Sequence, residues 1–544
     1  MQGAQAPTEV HLWKALSAYA KVWDGIDTAR VRQDKDAKQS WQTTLSTSIA
    51  MARKACEVAD NSRRRVDIAR SATALLSDPL SQATISPIDQ RLVASRKYLG
   101  IPELEQTVQR SSQAQKNWRR YPLQGRIGIG MKFMEELNKM ASELSSELTR
   151  QNGQPIKQVE VEIRDSILRG QSLLSSAESN LADKTEDTGQ SGYRRLIKRD
   201  PLGIVLVISP WTFPYLITIE SIIPAIVAGN AVILKPSSQT PLVAERLVMA
   251  MERAGAPKDI LQVVHLTPSS TAHVAQRVDF VCSTGNHVGD QVDEIAALDL
   301  TTVQGHIQRL DGKNPAYVRA DADIRYAVAE LVEASMFNSG QHSSSVERIY
   351  VHEDVYDNFV TQFVDLVKVY KLGNPSIPET TLGPVISIAS AQRIRKQIAE
   401  AVEAGAKALV PEGLFPIASE YNAYVVPQVL VDVDHSMTVM KDVTFGPVVG
   451  IQKVASDDEA ISLMNDTCYS FTASLWTNTH ANPESESSFQ RITDSLNATA
   501  VFLNRCDRLD PWTNTNHTNQ SQSQGSSVGY EMFTRTTSII SSQR

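Results

Sequence analysis

The feature that most constrains this chain is Ile204-Val205-Leu206-Val207-Ile208, a short run with no polar position, ended at Ser209-Pro210. A strand with one wet face alternates polar and apolar residues. A five-residue run that is apolar throughout must hide both faces, which is the situation of a buried strand in a parallel sheet. Two further bursts, Ala231-Val232-Ile233-Leu234 and Val263-Val264, follow segments of helical length, and Phe280-Val281-Cys282 supplies a fourth before the polar turn Ser283-Thr284-Gly285. Strands that alternate with helices need right-handed crossovers, which cover the sheet on both sides. The expectation is an α/β fold.

Downstream, Ile324, Val328, Leu331 and Val332 form one apolar stripe, with Asp321 or Asp323 available as cap and Asn338-Ser339-Gly340 as the stop. The run Val346–Val351 reads as a strand interrupted by Glu347 and Arg348, and residues 448–452 and 501–503 are further short strands. Residues 135–151 and 160–181 have helical spacing. So, loosely, do residues 1–82, with Leu12, Leu16, Tyr19 and Val22. Thr513–Ser527 is almost entirely Asn, Thr, Gln, Ser and His, so it has nothing to bury and is expected to be a surface loop.

The 544 residues are 42% hydrophobic and 21% charged, which excludes a mostly disordered chain and leaves room for several domains. A net charge of −7 gives no overall attraction to nucleic acid or anionic membrane, and Arg63-Arg64-Arg65 reads as a solvated helix face. No stretch reaches the roughly 18 apolar residues of a membrane span. Met1–Glu9 lacks the basic and apolar segments of a secretory leader. Cys56, Cys282, Cys468 and Cys506 form no paired motif, so neither a disulfide scaffold nor a zinc site is expected and the compartment is read as the reducing cytoplasm. No metal is expected, because no three His, Cys or Asp residues recur at ligand spacing; His287 reads as a loop residue.

An ordered series of motifs then resembles the NAD(P)-dependent aldehyde dehydrogenase superfamily. It comprises Ile208-Ser209-Pro210-Trp211-Thr212-Phe213-Pro214-Tyr215, Gly229-Asn230-Ala231-Val232-Ile233-Leu234-Lys235-Pro236, Leu310-Asp311-Gly312-Lys313-Asn314-Pro315, Phe337-Asn338-Ser339-Gly340-Gln341 and Thr444-Phe445-Gly446-Pro447-Val448. Thr472–Trp476 and Val501–Asp507 continue it, so that it covers roughly residues 83–540. The resemblance implies a Rossmann-like cofactor domain at 83–310, with an oligomerisation hairpin at about 185–203, and a catalytic-like α/β domain at 311–500. It leaves a helical extension at 1–82 and an oligomerisation strand with a polar tail at 501–544. A dimeric or tetrameric homo-oligomer is implied, with a protein partner as a further option.

Oxidising an aldehyde this way takes a nucleophile, an oxyanion donor and a base that activates water. The family uses cysteine, the Asn side chain of Pro-Trp-Asn and glutamate. At the matching positions this chain has Ser343, Thr212 and Arg309. An unassisted serine is hardly ionised at neutral pH, and His342 beside it is not thereby aimed at it. Guanidinium cannot accept a proton, so Arg309 would instead pair with Asp311 or hold an anion. Losing an oxyanion donor costs about 3–4 kcal/mol. On the cofactor side the resemblance places Trp211, Lys235, Ser283, Val443 and Phe445. Cys282 replaces a glycine of the pyrophosphate turn, the segment Gly285–Gly289 looks one residue longer, and Val443 replaces the glutamate that holds a ribose. Cys506 is read as a packing residue.

These substitutions lead to the expectation of a catalytically silent homologue, a pseudoenzyme acting as scaffold, regulator or subunit of an enzyme complex, with NAD(P) bound weakly or not at all. The alternatives are an enzyme whose cleft handles an anionic or carbonyl substrate by different chemistry, and residual NAD(P)-dependent aldehyde oxidation.

Overall fold

The computed structural model describes residues 81–187, 193–284, 306–309, 312–467, 469, 472–478, 483–507 and 528–542. The extension up to residue 80, the segment from Gly285 to Gly289 with His287, Asp311, Cys468 and the polar stretch Thr513–Ser527 lie outside the described residues.

A hairpin of β1 (Ser81–Ile85) and β2 (Leu92–Lys97) leads into four helices: α1 (Ile101–Trp118), α2 (Leu123–Lys139), α3 (Ala141–Asn152) and α4 (Ile156–Leu181). Strands β3 (Lys184–Asp187) and β4 (Tyr193–Pro201) follow. Then comes the expected alternation: β5 (Ile204–Ile208), α5 (Pro214–Ala228), β6 (Ala231–Lys235), α6 (Pro241–Arg253), β7 (Leu261–Val263), α7 (Pro268–Ala275), β8 (Phe280–Thr284) and β9 (His306–Arg309). The five strands β5 to β9 form one parallel sheet in the order β7-β6-β5-β8-β9. Val205, Val207, Val232 and Leu234 face the core shared with α2, α4, α5 and α6; Ile204, Leu206, Ile208, Ile233 and Val281 face the other. Each such side chain contributes about 1.5–3 kcal/mol by leaving water, and both faces are taken, so no polar residue fits the run.

The second half repeats the logic. β10 (Asn314–Val318), α8 (Ile324–Met336), β11 (Val346–His352), α9 (Glu353–Lys368), α10 (Ile388–Glu403), β12 (Lys407–Ala408), β13 (Gln428–Val431), β14 (Val448–Val454), β15 (Thr472–Trp476) and β16 (Ala500–Leu503) build a seven-stranded sheet. Its order is β12-β13-β14-β11-β10-β15-β16, and every pairing but that of β12 is parallel. Cys506 packs into its core, as expected. The last strand, β17 (Thr534–Ser542), runs antiparallel along β4 from Thr534 opposite Pro201 to Ser542 opposite Tyr193, giving the three-stranded sheet β17-β4-β3. The fold is thus α/β, with a Rossmann-like region and a separate catalytic-type α/β region.

One detail refines the sequence reading. Glu347 and Arg348 lie inside β11 and are buried, and the expected interruption appears as a register shift at Glu347, where the pairing with β10 passes from Asn314–Val346 to Pro315–Arg348. Burial of charge is tolerated only with partners, and those partners lie at the site described next.

Candidate active site

In the five-stranded sheet the chain leaves β5 in one direction and re-enters at β8 on its other side, so a crevice opens at the carboxyl ends of these two strands. The backbone register sets Lys235, Ile208 and Ser283 in one row across β6, β5 and β8. Lys235 and Ser283 are both buried. Among the described residues the Ser283 hydroxyl has no hydrogen-bond partner. An orphaned hydroxyl at a topological switch point fits a ligand oxygen such as a dinucleotide phosphate, because leaving it unpaired costs about 1–3 kcal/mol. The turn after β6, Pro236–Thr240, adds only neutral polar groups and no carboxylate.

β5 ends in the turn Ser209–Phe213, which carries Trp211 and Thr212, both buried, into α5. Phe213 sits in the left-handed region at φ 42°, ψ 50°. Trp211 meets Phe445 edge to face at 5.7 Å, and with Ile386 and Val443 they form one small apolar cluster. Val443 is therefore an apolar packing residue in this cluster.

Opposite lies the turn that carries Ser343. After α8 the backbone of Asn338, Ser339 and Gly340 is left-handed at three successive residues, φ 50°, 55° and 70°. Only glycine serves at 340, where a Cβ would lie 2.1 Å from the Gly446 carbonyl oxygen. Side chains hold this unusual path. Ser339 Oγ donates to the Gly383 carbonyl, Gln341 Nε2 to the Asn338 carbonyl, and the Gln341 Oε1 accepts the Ile386 N–H at 2.8 Å. Asn314 Nδ2 donates to the carbonyls of Ser343 (2.6 Å) and Ser345 (2.9 Å), while its Oδ1 accepts from Thr472 N–H. Ser344 Oγ donates to Asp507 at 2.7 Å. Between Asn338 and Tyr350 every residue is buried except Ser343, which is partly exposed.

His342 is not a base for Ser343. Its ring is edge-on to Phe213 and to Phe337, which stack on each other at 5.8 Å, and among the described residues neither nitrogen makes a full hydrogen bond. Burial pushes its pKa down to about 4, against the opposing pull of the Asp507 carboxylate, the Ala334 backbone and Glu347, so the imidazole is neutral at pH 7. Arg309 is the last residue of β9, opposite Thr284 in β8; its side chain lies outside the description.

The sequence reading missed the residues that brace the site. Lys313 Nζ pairs with Glu347 at 2.6 Å in full burial and also donates to Thr444 Oγ1. The Glu347 carboxylate accepts the backbone N–H groups of Thr444 and Phe445, both at 2.8 Å, and so fixes the loop that bears Val443 and Phe445. The available signal was the pair of charges inside an otherwise apolar strand. Asn314 and Asp507 were quoted only as motif letters. Among the described residues no three His, Cys, Asp or Glu side chains gather as a metal site, and no helix is long and apolar enough to cross a membrane.

The aldehyde dehydrogenase family model matches residues 77–539, and the chain belongs to that family. It is 32% identical over 371 residues to a succinate-semialdehyde dehydrogenase [NADP(+)] of Mycobacterium avium (strain 104), covering 68% of this chain and 76% of the relative. It is 29% identical over 408 residues to the lactaldehyde dehydrogenase of Escherichia coli (strain K12), covering 74% and 81%. Among solved structures, the NADP-dependent glyceraldehyde-3-phosphate dehydrogenase of Bacillus halodurans C-125 complexed with NADP superposes with a TM-score of 0.77 at 25% identity, covering 86% of this chain and 97% of that one.

These matches correct the reading of a silent scaffold or pseudoenzyme with weak or absent NAD(P). Relatives that share most of their length with this chain are dehydrogenases, one of them solved with NADP in place. The physical reason the sequence misled is that three substituted letters were weighed against a frame whose bracing was not legible. That frame retains a buried lysine, a hydroxyl without a partner among the described residues, and a partly exposed serine on the turn after α8.

Proposed function

We propose that this protein is an NADP-dependent dehydrogenase that oxidises an aldehyde to its acid, with Ser343 in the nucleophile's role. The observation that carries the reading is the single partly exposed residue of the Asn338–Tyr350 stretch: every other residue of it is buried, while Asn314 holds the Ser343 carbonyl and leaves the Ser343 side chain at the open position. When bound, the cofactor supplies a hydride acceptor. Lys235 and Ser283 would hold it, and Trp211, Val443 and Phe445 would line its nicotinamide end. The absence of a carboxylate in Pro236–Thr240 leaves room for a 2′-phosphate, in keeping with the NADP(+) in the names of relatives.

Ser343 Oγ adds to the carbonyl carbon and its proton passes to solvent. The Thr212 hydroxyl donates to the oxygen that gains charge, and after loss of hydride water cleaves the resulting ester. Arg309 brings positive charge that favours an anionic aldehyde over a neutral one. With a serine and no imidazole aimed at it, turnover is slower than that of a thiol enzyme. The same reading makes the chain a homo-oligomer, dimer or tetramer, through the sheet whose outer strand exposes Ile539 and Ile540.

The test follows cofactor reduction with a panel of anionic and neutral aldehydes. Turnover with NADP, lost in Ser343→Ala and raised about tenfold or more in Ser343→Cys, is expected. No cofactor reduction by the wild type with any aldehyde, or full activity in Ser343→Ala, would overturn the reading.

A further inference from the structure

We propose that Glu162 is a positioning residue that, from α4, holds the start of α5 and thereby fixes Thr212 in the cleft. The starting point is a missing cap. α5 is a 15-residue buried helix, yet its N-cap, Phe213, makes no side-chain cap hydrogen bond and its first turn has no acidic residue. Pro214 has no N–H, and the Ile217 N–H is already satisfied by the Phe213 carbonyl. Two donors are left, Tyr215 and Leu216. The Tyr215 N–H donates to Glu162 Oε1 at 2.9 Å, across 53 residues of sequence, and the Leu216 N–H also stabilises the carboxylate.

Glu162 is almost wholly buried and Oε2 has no full hydrogen bond of its own. Burial pushes its pKa up to about 8, with the two N–H groups pulling the other way. A buried carboxyl with no ion-pair partner among the described residues is costly, and what it does in return is cap a helix that has no local cap. The helix start matters because the residues before it are strained. Phe213 is left-handed without being glycine; besides the ring contacts of Trp211 and Phe213, the backbone of the turn is held at its start by the Ser209 N–H on the Lys235 carbonyl and only by a long contact from Asn152 Nδ2 to the Trp211 carbonyl at 3.5 Å further along. Without Glu162 the backbone at Phe213 can relax, and Thr212, one residue earlier, moves with it. α4 and α5 also meet about two turns along α4, at Gly170, where a Cβ would lie 3.4 Å from the Ile219 side chain, so their packing does not depend on Glu162 alone.

The inference rests on the oxyanion role given to Thr212 above, so its test has two readouts. In Glu162→Leu, amide hydrogen exchange at residues 211–217 should accelerate about tenfold or more while the rest of α4 and α5 keeps its protection. In the same variant kcat should fall about tenfold with KM for cofactor within twofold. Glu162→Gln, whose carbonyl can still accept the Tyr215 N–H, should stay within about threefold of wild type in both. Should Glu162→Leu not fold, Glu162→Asp, too short to reach, replaces it with the same expectations. Unchanged exchange at 211–217, exchange raised evenly along both helices, or a kcat loss that Gln does not rescue overturns the proposal. Thr212→Ala separates the two ideas: full activity there refutes the role of Thr212, while the exchange data still decide whether Glu162 holds the turn.

Discussion

The two walls of the cleft are both buried, but different forces build them. The cofactor-side sheet is held by apolar area: β5, β6 and β8 hide both faces, and their side chains would be interchangeable with others of similar size at modest cost. The turn around Ser343 is held by directed hydrogen bonds from Asn314, Gln341, Ser339 and Ser344, and by the Lys313–Glu347 pair behind it. A wall made of area tolerates exchange of letters. A wall made of hydrogen bonds fails where one partner is lost, because the other is left buried and unpaired.

The sharpest way to break this contrast is Lys313→Met. It leaves Glu347 buried without its cation and should destabilise by about 3–5 kcal/mol in denaturant unfolding, whereas Ile233→Val in the sheet should cost only about 0.5–1.5 kcal/mol. Equal losses would show that both walls rest on packing alone. Acid provides the next test. The folded-state pKa of His342 is depressed from 6.5 to about 4, so the folded protein binds fewer protons than the unfolded chain between those values. The stability this represents is complete above pH 6.5 and is lost as pH falls toward 4, by roughly 3 kcal/mol. His342→Phe should flatten that part of the stability-versus-pH curve; an unchanged slope would show that the ring is not buried as described.

Asn314→Leu strips partners from three backbone groups and should cost about 2–3 kcal/mol, with a further loss of kcat as the Ser343 carbonyl comes free. A smaller penalty than that of Ile233→Val would invert the comparison. The smallest effect belongs to the cofactor wall. Ser283→Ala removes a hydroxyl with no partner among the described residues, so stability should hold or rise slightly while NADP affinity, measured by calorimetry, weakens about fivefold. Unaltered affinity would mean that this hydroxyl faces no ligand.

The same contrast explains what could be read beforehand. Ile204–Ile208 announced its strand because burial on both faces writes itself into five consecutive letters. The resemblance located Ser343, Thr212 and Lys235 by register with quoted motifs. It could not say that His342 turns toward Phe213 and Phe337, since a neighbour in sequence carries no direction in space. Glu162 and Asp507 were illegible for another reason: each acts on a group 53 or more residues away, and nothing local marks it. Glu347 lay in between, visible as an anomaly in a strand but readable only once Thr444 and Phe445 were beside it.

At Gly340 the backbone touches the backbone of Gly446, with no space for even a methyl group between them. Two segments a hundred residues apart are therefore fitted like a key to its ward. Chimaeras that borrow one of them from a relative must borrow the other, and new substrate preferences will arise more readily by altering the rim around this junction than by remodelling either loop alone.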